Sequence, residues 1–140
     1  MDKKGILRAG FWKNNHFTFL DTDENNSIYY SSINSIFVKG SDLHMTGYKF
    51  YNDGSKKWES MAYWKNSATS ILEIPDALGY SIYISDQDVY IGGIAFNRNT
   101  SGEFDRNIAT VKYWKNGVGK EIMRGTLTTG FSVSSIFIVP

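Results

Sequence analysis

The chain repeats itself, and the repeat limits what it can fold into more than any other feature. "FWKN" at Phe11 to Asn14 returns as "YWKN" at Tyr63 to Asn66 and at Tyr113 to Asn116, with the three tryptophans 52 and 50 residues apart. A second block recurs out of phase with the first. "SIFVKGSDLHMTG" from Ser35 aligns without a gap to "SIYISDQDVYIGG" from Ser81, and its opening returns as "SIFIVP" from Ser135. A period near fifty residues marks one supersecondary unit that cannot bury its faces alone and is stacked on copies of itself.

Each period divides into four short strands. "SIYIS" and "VYIGGIAF" are β-branched and aromatic runs joined by a polar turn at Asp86 to Asp88, and "IATVKYWKN" meets "KEIMRG" at Asn116-Gly117, a strong signal for a two-residue hairpin. The other copies place Asn14-Asn15 and Asn66-Ser67 there, where asparagine tolerates positive φ. Neighbouring side chains on a strand point to opposite faces. Tyr113 and Trp114 are therefore both buried only if both faces of their sheet are covered. No segment sustains a 3.6-residue apolar period for three turns, so the expected class is all-β.

Composition excludes some functions. Fifteen basic against fourteen acidic residues give a net charge of +1, which draws the chain neither to nucleic acid nor to an anionic membrane. The absence of cysteine removes disulfides and thiolate chemistry. "MDKKGILRAG" lacks an apolar core after its lysines, and no apolar run is long enough to span a bilayer. A soluble chain without signal peptide or transmembrane segment is the expectation, with the compartment open.

The fifty-residue unit, with its "YWKNG" strand end and its S-I-x-V…D-V-Y-x-x-G hairpin, resembles the tandem repeats of uncharacterised bacterial β-propeller-like proteins. That resemblance implies a single propeller-like domain over residues 1–140, built of four-stranded antiparallel blades and serving as scaffold or binding module. With blade strands called A to D, a partial blade (C and D) falls in 1–20, whole blades in about 33–74 and 80–125, and a final A strand in about 131–139. Just under three blades leave an apolar face at each end, with Ile6, Phe11 and Trp12 near one and Phe131, Ile136 and Phe137 near the other. A head-to-tail homodimer closing a six-bladed ring is the expected partner arrangement, and closure within one chain is the alternative.

Chemistry is sought where the copies differ. His44 occupies the place of Tyr90, and His16 those of Ala68 and Val118, so neither histidine belongs to a repeated site. "DTDENNSIYYSS" from Asp21 has the alternating oxygens of a calcium loop, but Asn26 and Ser32 stand where its glycine and bidentate glutamate belong. No catalytic residue, metal or cofactor is assigned. "NNS" at Asn25 and "NTS" at Asn99 match the glycosylation pattern, a short and weak signal.

Loop lengths say more. The A-to-B and C-to-D turns are short and nearly constant, whereas the D-to-A connections (Asp21 to Asn34, Pro75 to Gly79) and the B-to-C connections (Asn52 to Lys57, Asn97 to Asn107) vary. In an antiparallel blade these variable loops emerge on one side, where binding residues concentrate. Tyr29, Tyr30, Tyr51, Asp53, Asn97, Arg98, Asp105 and Arg106 are the ligand-binding candidates, and rings among amides, acids and guanidinium groups suit a glycan or a peptide. The expected function is a non-catalytic binding or assembly module. The alternative is a small carbohydrate-active hydrolase using loop carboxylates drawn from Asp76, Glu103 and Asp105.

Overall fold

The computed structural model describes residues 6–21, 28–66, 70–99, 101, 104–126 and 133–138. Among them are ten β-strands and no helix, so no helix is long and apolar enough to cross a membrane. The class is all-β and every strand pair antiparallel, apart from an isolated parallel bridge between Leu7 and Tyr30.

Strands β1 (Gly10–Lys13) and β2 (His16–Phe19) form a hairpin. Strands β3 (Ile28–Lys39), β4 (Asp42–Asn52), β5 (Lys57–Lys65) and β6 (Leu72–Pro75) make a four-stranded meander, and β7 (Ala77–Ser85), β8 (Asp88–Arg98), β9 (Phe104–Lys115) and β10 (Val118–Thr126) make a second. These meanders coincide with the two segments that the sequence divides into strands A-B-C-D, and the hairpin with the segment it divides into C and D. The asparagines expected to turn the chain do so at positive φ: Asn14, Asn15, Asn66 and Asn116 lie between 50° and 63°.

Both A strands begin earlier than their hydrophobic pattern predicts, so the sheets span 28–75 and 77–126 instead of 33–74 and 80–125. The cause is a bulge in each, between Ile33 and Ser35 in β3 and between Gly79 and Ser81 in β7, which lets pairing continue past a break in alternation. Gly47 and Gly93, which end the aligned block in each copy, sit opposite these bulges. A Cβ on Gly47 would collide with the Ser32 carbonyl and one on Gly93 with the Leu78 carbonyl, so the close strand approach requires glycine at both.

The hairpin and the sheets are stacked in chain order. One core cluster joins Phe11 and Leu20 of the hairpin side to Met45, Ala62 and Trp64 of the first sheet. The other joins Met61 and Tyr63 of the first sheet to Ala77, Ile82, Ile84, Ile91 and Trp114 of the second. Trp64 and Trp114 thus face the layer before them, and Phe11 and Tyr63 the layer after. Trp64 and Trp114 are 0% and 4% exposed, whereas Trp12, with no layer before it among the described residues, is 71% exposed. Phe11, expected at a bare end, is buried for the same reason: it faces the first sheet.

Of the expected final A strand, residues 133–138 are described and form no strand, with no B neighbour beside them among the described residues; Phe131 lies outside the described residues. The segment pairs with neither strand of the hairpin, so the described residues do not close the chain on itself. It lies instead against the second sheet, where Ile136 N donates to Ser81 Oγ at 3.0 Å.

Candidate functional site

Of the eight candidate residues, only Asp53 is on a loop; β3 takes in Tyr29 and Tyr30, β4 Tyr51, β8 Asn97 and Arg98, and β9 Asp105 and Arg106. The register still gathers them at one end of each sheet. Ile28 opposes Tyr51, which opposes Trp58, while Asn97 opposes Asp105. The D-to-A corner at Asp76 joins the two ends, its amide donating to Glu59 O and its carbonyl accepting from Phe96 N, both at 2.8 Å.

Most charged groups at this end are already held by the protein. Asp53 Oδ1 accepts from Ser55 N at 2.9 Å and Lys56 N at 2.6 Å, which shapes its own loop and, led by the Lys56 amide, keeps its carboxyl below the usual range. Arg98 clamps Asp76 with two bonds, Nε to Oδ2 at 2.5 Å and Nη2 to Oδ1 at 2.6 Å. Asp105 is half-buried, the Arg106 side chain lies outside the described residues, and so does Glu103.

The aromatic candidates separate onto two faces. Tyr30 stacks on Phe50 at 5.2 Å with rings 16° from parallel, and Tyr48 meets Tyr30 edge-on at 5.9 Å. Tyr29 lies 6.0 Å from Phe50 and is 61% exposed, and the other three rings are half-buried. Alternation puts Tyr48 and Phe50 on the face of β4 that carries Thr46, toward the second sheet. Tyr51 points the other way, buried and stacked at 4.8 Å on Trp58, and its hydroxyl donates to Glu73 Oε2 at 2.5 Å.

Tyr51 thereby enters a buried charge cluster absent from the sequence reading. Lys49 Nζ lies 2.6 Å from both Asp21 Oδ1 and Glu73 Oε1, and the Lys49 and Asp21 side chains are 3% and 1% exposed. Trp64 Nε1 donates to Asp21 Oδ1 at 3.2 Å, Ser70 Oγ donates to Glu73 Oε1 at 2.6 Å, and Arg8 donates to the Asp21 carbonyl. Burial pushes the Asp21 carboxyl above its ordinary range against the pull of Lys49 and Trp64, and its Oδ2 is buried with no hydrogen-bond partner among the described residues. Burial also pushes Glu73 upward, but the hydrogen bonds of Lys49, Ser70 and Tyr51 prevail and hold it low. Burial and Glu73 raise the Tyr51 hydroxyl. One ammonium shared by two carboxylates balances one of their two charges and engages an oxygen of each, and the cluster joins the hairpin to the first sheet. Residue parity along β4 carried the missed signal. Met45, Gly47, Lys49 and Tyr51 share one face, and a lysine in an otherwise inward row requires a partner.

At the opposite end, a crevice of about 700 Å³ is lined by Lys39, Asp42, His44, Lys65, Asp86 and Gln87 among others. Lys65 pairs with Asp42 at 2.7 Å, and Lys39 donates to the Asp86 carbonyl. His44 is buried, its Nδ1 2.8 Å from the Tyr63 hydroxyl, and burial lowers its pKa. It is a core histidine with a partner. Comparison of the chain with protein-family models, curated proteins and solved structures finds no match in any of the three.

Proposed function

We propose that this protein is a non-catalytic binding and assembly module, a propeller-like array of four-stranded blades that takes a glycan on the loop end of its first sheet. The propeller-like reading is supported by two A-to-D meanders stacked face to face in chain order. The observation that carries the binding reading is the aromatic group of Tyr29, Tyr30, Tyr48 and Phe50. It offers an exposed ring beside stacked ones at an end where Asp76, Arg98 and Asp53 are already paired. Ring faces pack against the C–H faces of a sugar, and they do so without free charge.

The hydrolase alternative draws less support. Asp76 is clamped by Arg98, and Asp21 and Glu73 share one lysine, so these carboxylates are committed before any sugar arrives. A glycan array read with the full chain, followed by titration of the best binder against tyrosine and tryptophan fluorescence, tests the proposal. Saturable binding weakened at least tenfold in Tyr29→Ala is the expected result. No glycan binding at millimolar concentration, or binding untouched by Tyr29→Ala and Tyr30→Ala, sinks it. A parallel peptide array shows whether a peptide takes the site instead, and turnover of a glycoside panel restores the hydrolase.

A further inference from the structure

The contacts that add one layer to the next are themselves repeated. Ile82 N donates to Ser35 Oγ at 3.3 Å, joining the A strand of the second sheet to that of the first. Ile136 N donates to Ser81 Oγ at 3.0 Å, the same contact made by the third copy of Ser-Ile. The aromatic after each pair follows suit: Phe37 meets Tyr83 at 5.1 Å and 65°, and Tyr83 meets Phe137 at 6.3 Å and 63°. Even the small-to-large packing recurs with the sizes exchanged. A Cβ on Gly79 would meet Thr46 Oγ1, and one on Gly92 would meet Val133 Cγ1 at 2.9 Å. Residues 133–138 therefore hold the place of the A segment of a third layer, seated on the second sheet as that sheet is seated on the first.

Among the described residues no C or D strand accompanies that segment, where Phe137 is 74% exposed, and the hairpin is a C-D pair whose Trp12 is 71% exposed. We infer that a second copy of this chain seats its hairpin on this face. Strands β1 and β2 of one copy lie beside residues 133–138 of the other, and Trp12 is buried against the face of the second sheet that carries Tyr113. Trp64 against the Phe11 layer and Trp114 against the Tyr63 layer set the pattern, so the new contact continues an interface that the chain already makes twice. Phe137, 74% exposed, extends the Phe37–Tyr83 column onto the Phe37 of the other copy. The contact is heterologous, and two such contacts close a pair of chains into a ring. Each chain then contributes two complete layers and half of each shared one, six in all, with one strand absent from each shared layer.

The interface rests on the stacking alone and holds whether or not the aromatic end binds a glycan; closure into a ring rests on the propeller-like reading. Light scattering on a size-exclusion column, with the full chain at tens of micromolar, tests both. A single species of twice the 15.9 kDa chain mass is expected. Trp12→Glu and Phe137→Glu, both at exposed positions, should each give a folded monomer by circular dichroism. Mixing the two variants should restore a dimer, because one of the two contacts then has both native sides. A monomeric wild type overturns the interface, as does a dimer that survives both substitutions. Dissociation by Trp12→Glu alone, with Phe137→Glu inert and no rescue on mixing, shows a symmetric contact and overturns the head-to-tail arrangement. Mass that grows without limit as concentration rises overturns ring closure.

Discussion

Trp64 and Trp114 stand at equivalent places in successive layers, yet the material packed around them differs. Between the hairpin and the first sheet, a small apolar cluster is supplemented by the buried charges of Asp21, Lys49 and Glu73. Between the first and second sheets the core is apolar and larger, and Ala95 stands where the repeat places Lys49 in the other layer. Asp76, which follows the D strand at positive φ as Asp21 does, meets Arg98 near the surface and not a lysine in the core. A two-stranded hairpin buries too little apolar surface to hold itself against a sheet, and a paired charge cluster adds specific contacts there. A full sheet on a full sheet has no such need.

The largest effects break this contrast directly. Lys49→Met leaves Asp21 and Glu73 without their shared cation and is expected to cost about 3–5 kcal/mol, the range for breaking a buried pair, by urea unfolding. Arg98→Met, its counterpart at the second interface, should cost under about 1 kcal/mol because that pair is partly solvated. Equal losses would show that the two interfaces depend on charge alike. Trp64→Ala and Trp114→Ala should each cost about 3–5 kcal/mol through the cavity they leave. Trp12→Ala should stay within about 0.5 kcal/mol in protein dilute enough to be monomeric, and its effect should grow with concentration as the second copy binds.

How much of this was legible in the sequence follows from what repeats encode. The strand order, the asparagine turns and the opposite burial of Tyr63 and Trp64 were legible because each copy states them again. The A-strand starts were not, since the bulges at Ile33 and Gly79 interrupt the alternation on which a strand is recognised. The site candidates gather at one end of the sheets, as expected of one face, but all except Asp53 lie on strands where loops were expected. Sequence spacing could not show that Tyr51 turns inward to Glu73 while Tyr30 turns toward Phe50, because that depends on which face the register sets. Lys49 was missed because it appears in one copy only.

A middle-sized effect concerns the motif asparagine, which does more than turn the chain. Asn66 Oδ1 accepts from Leu43 N at 2.7 Å, and Asn116 Oδ1 accepts from Val89 N at 2.8 Å, so each ties its C-to-D turn to the start of the B strand. Alanine at any of Asn14, Asn66 and Asn116 sits in left-handed backbone, which costs about 1 kcal/mol. At Asn66 and Asn116 the lost bond to the B-strand amide should add about another 1 kcal/mol. Among the described residues the hairpin has no B strand beside it, so Asn14→Ala is the built-in control. If thermal unfolding ranks all three alike, the turn geometry alone explains the conserved letter of the repeat.

The smallest effect separates the motif lysines from the motif tryptophans. Lys65 pairs with Asp42 at 2.7 Å and Lys115 with Asp88 at 2.6 Å, at equivalent, solvated places in the two sheets, while Lys13 reaches the Ser41 carbonyl at 3.0 Å. The lysine, followed by the asparagine beside it, holds each of these aspartates below its ordinary value of 3.8. A carboxyl lowered in the folded state stabilises the fold above its unfolded value, and the contribution is lost as pH falls through the lower folded one. The loss of stability in Lys65→Met and Lys115→Met should therefore be present, though small for such solvated pairs, at neutral pH, and the variants should converge with the wild type as pH falls below about 4. Carboxyl titration by NMR should show Asp42 and Asp88 rising together toward the ordinary value in the respective variants. A shift in Asp42 without one in Asp88 would mean that the two sheets, alike in their turns, differ in their charges as their two interfaces do.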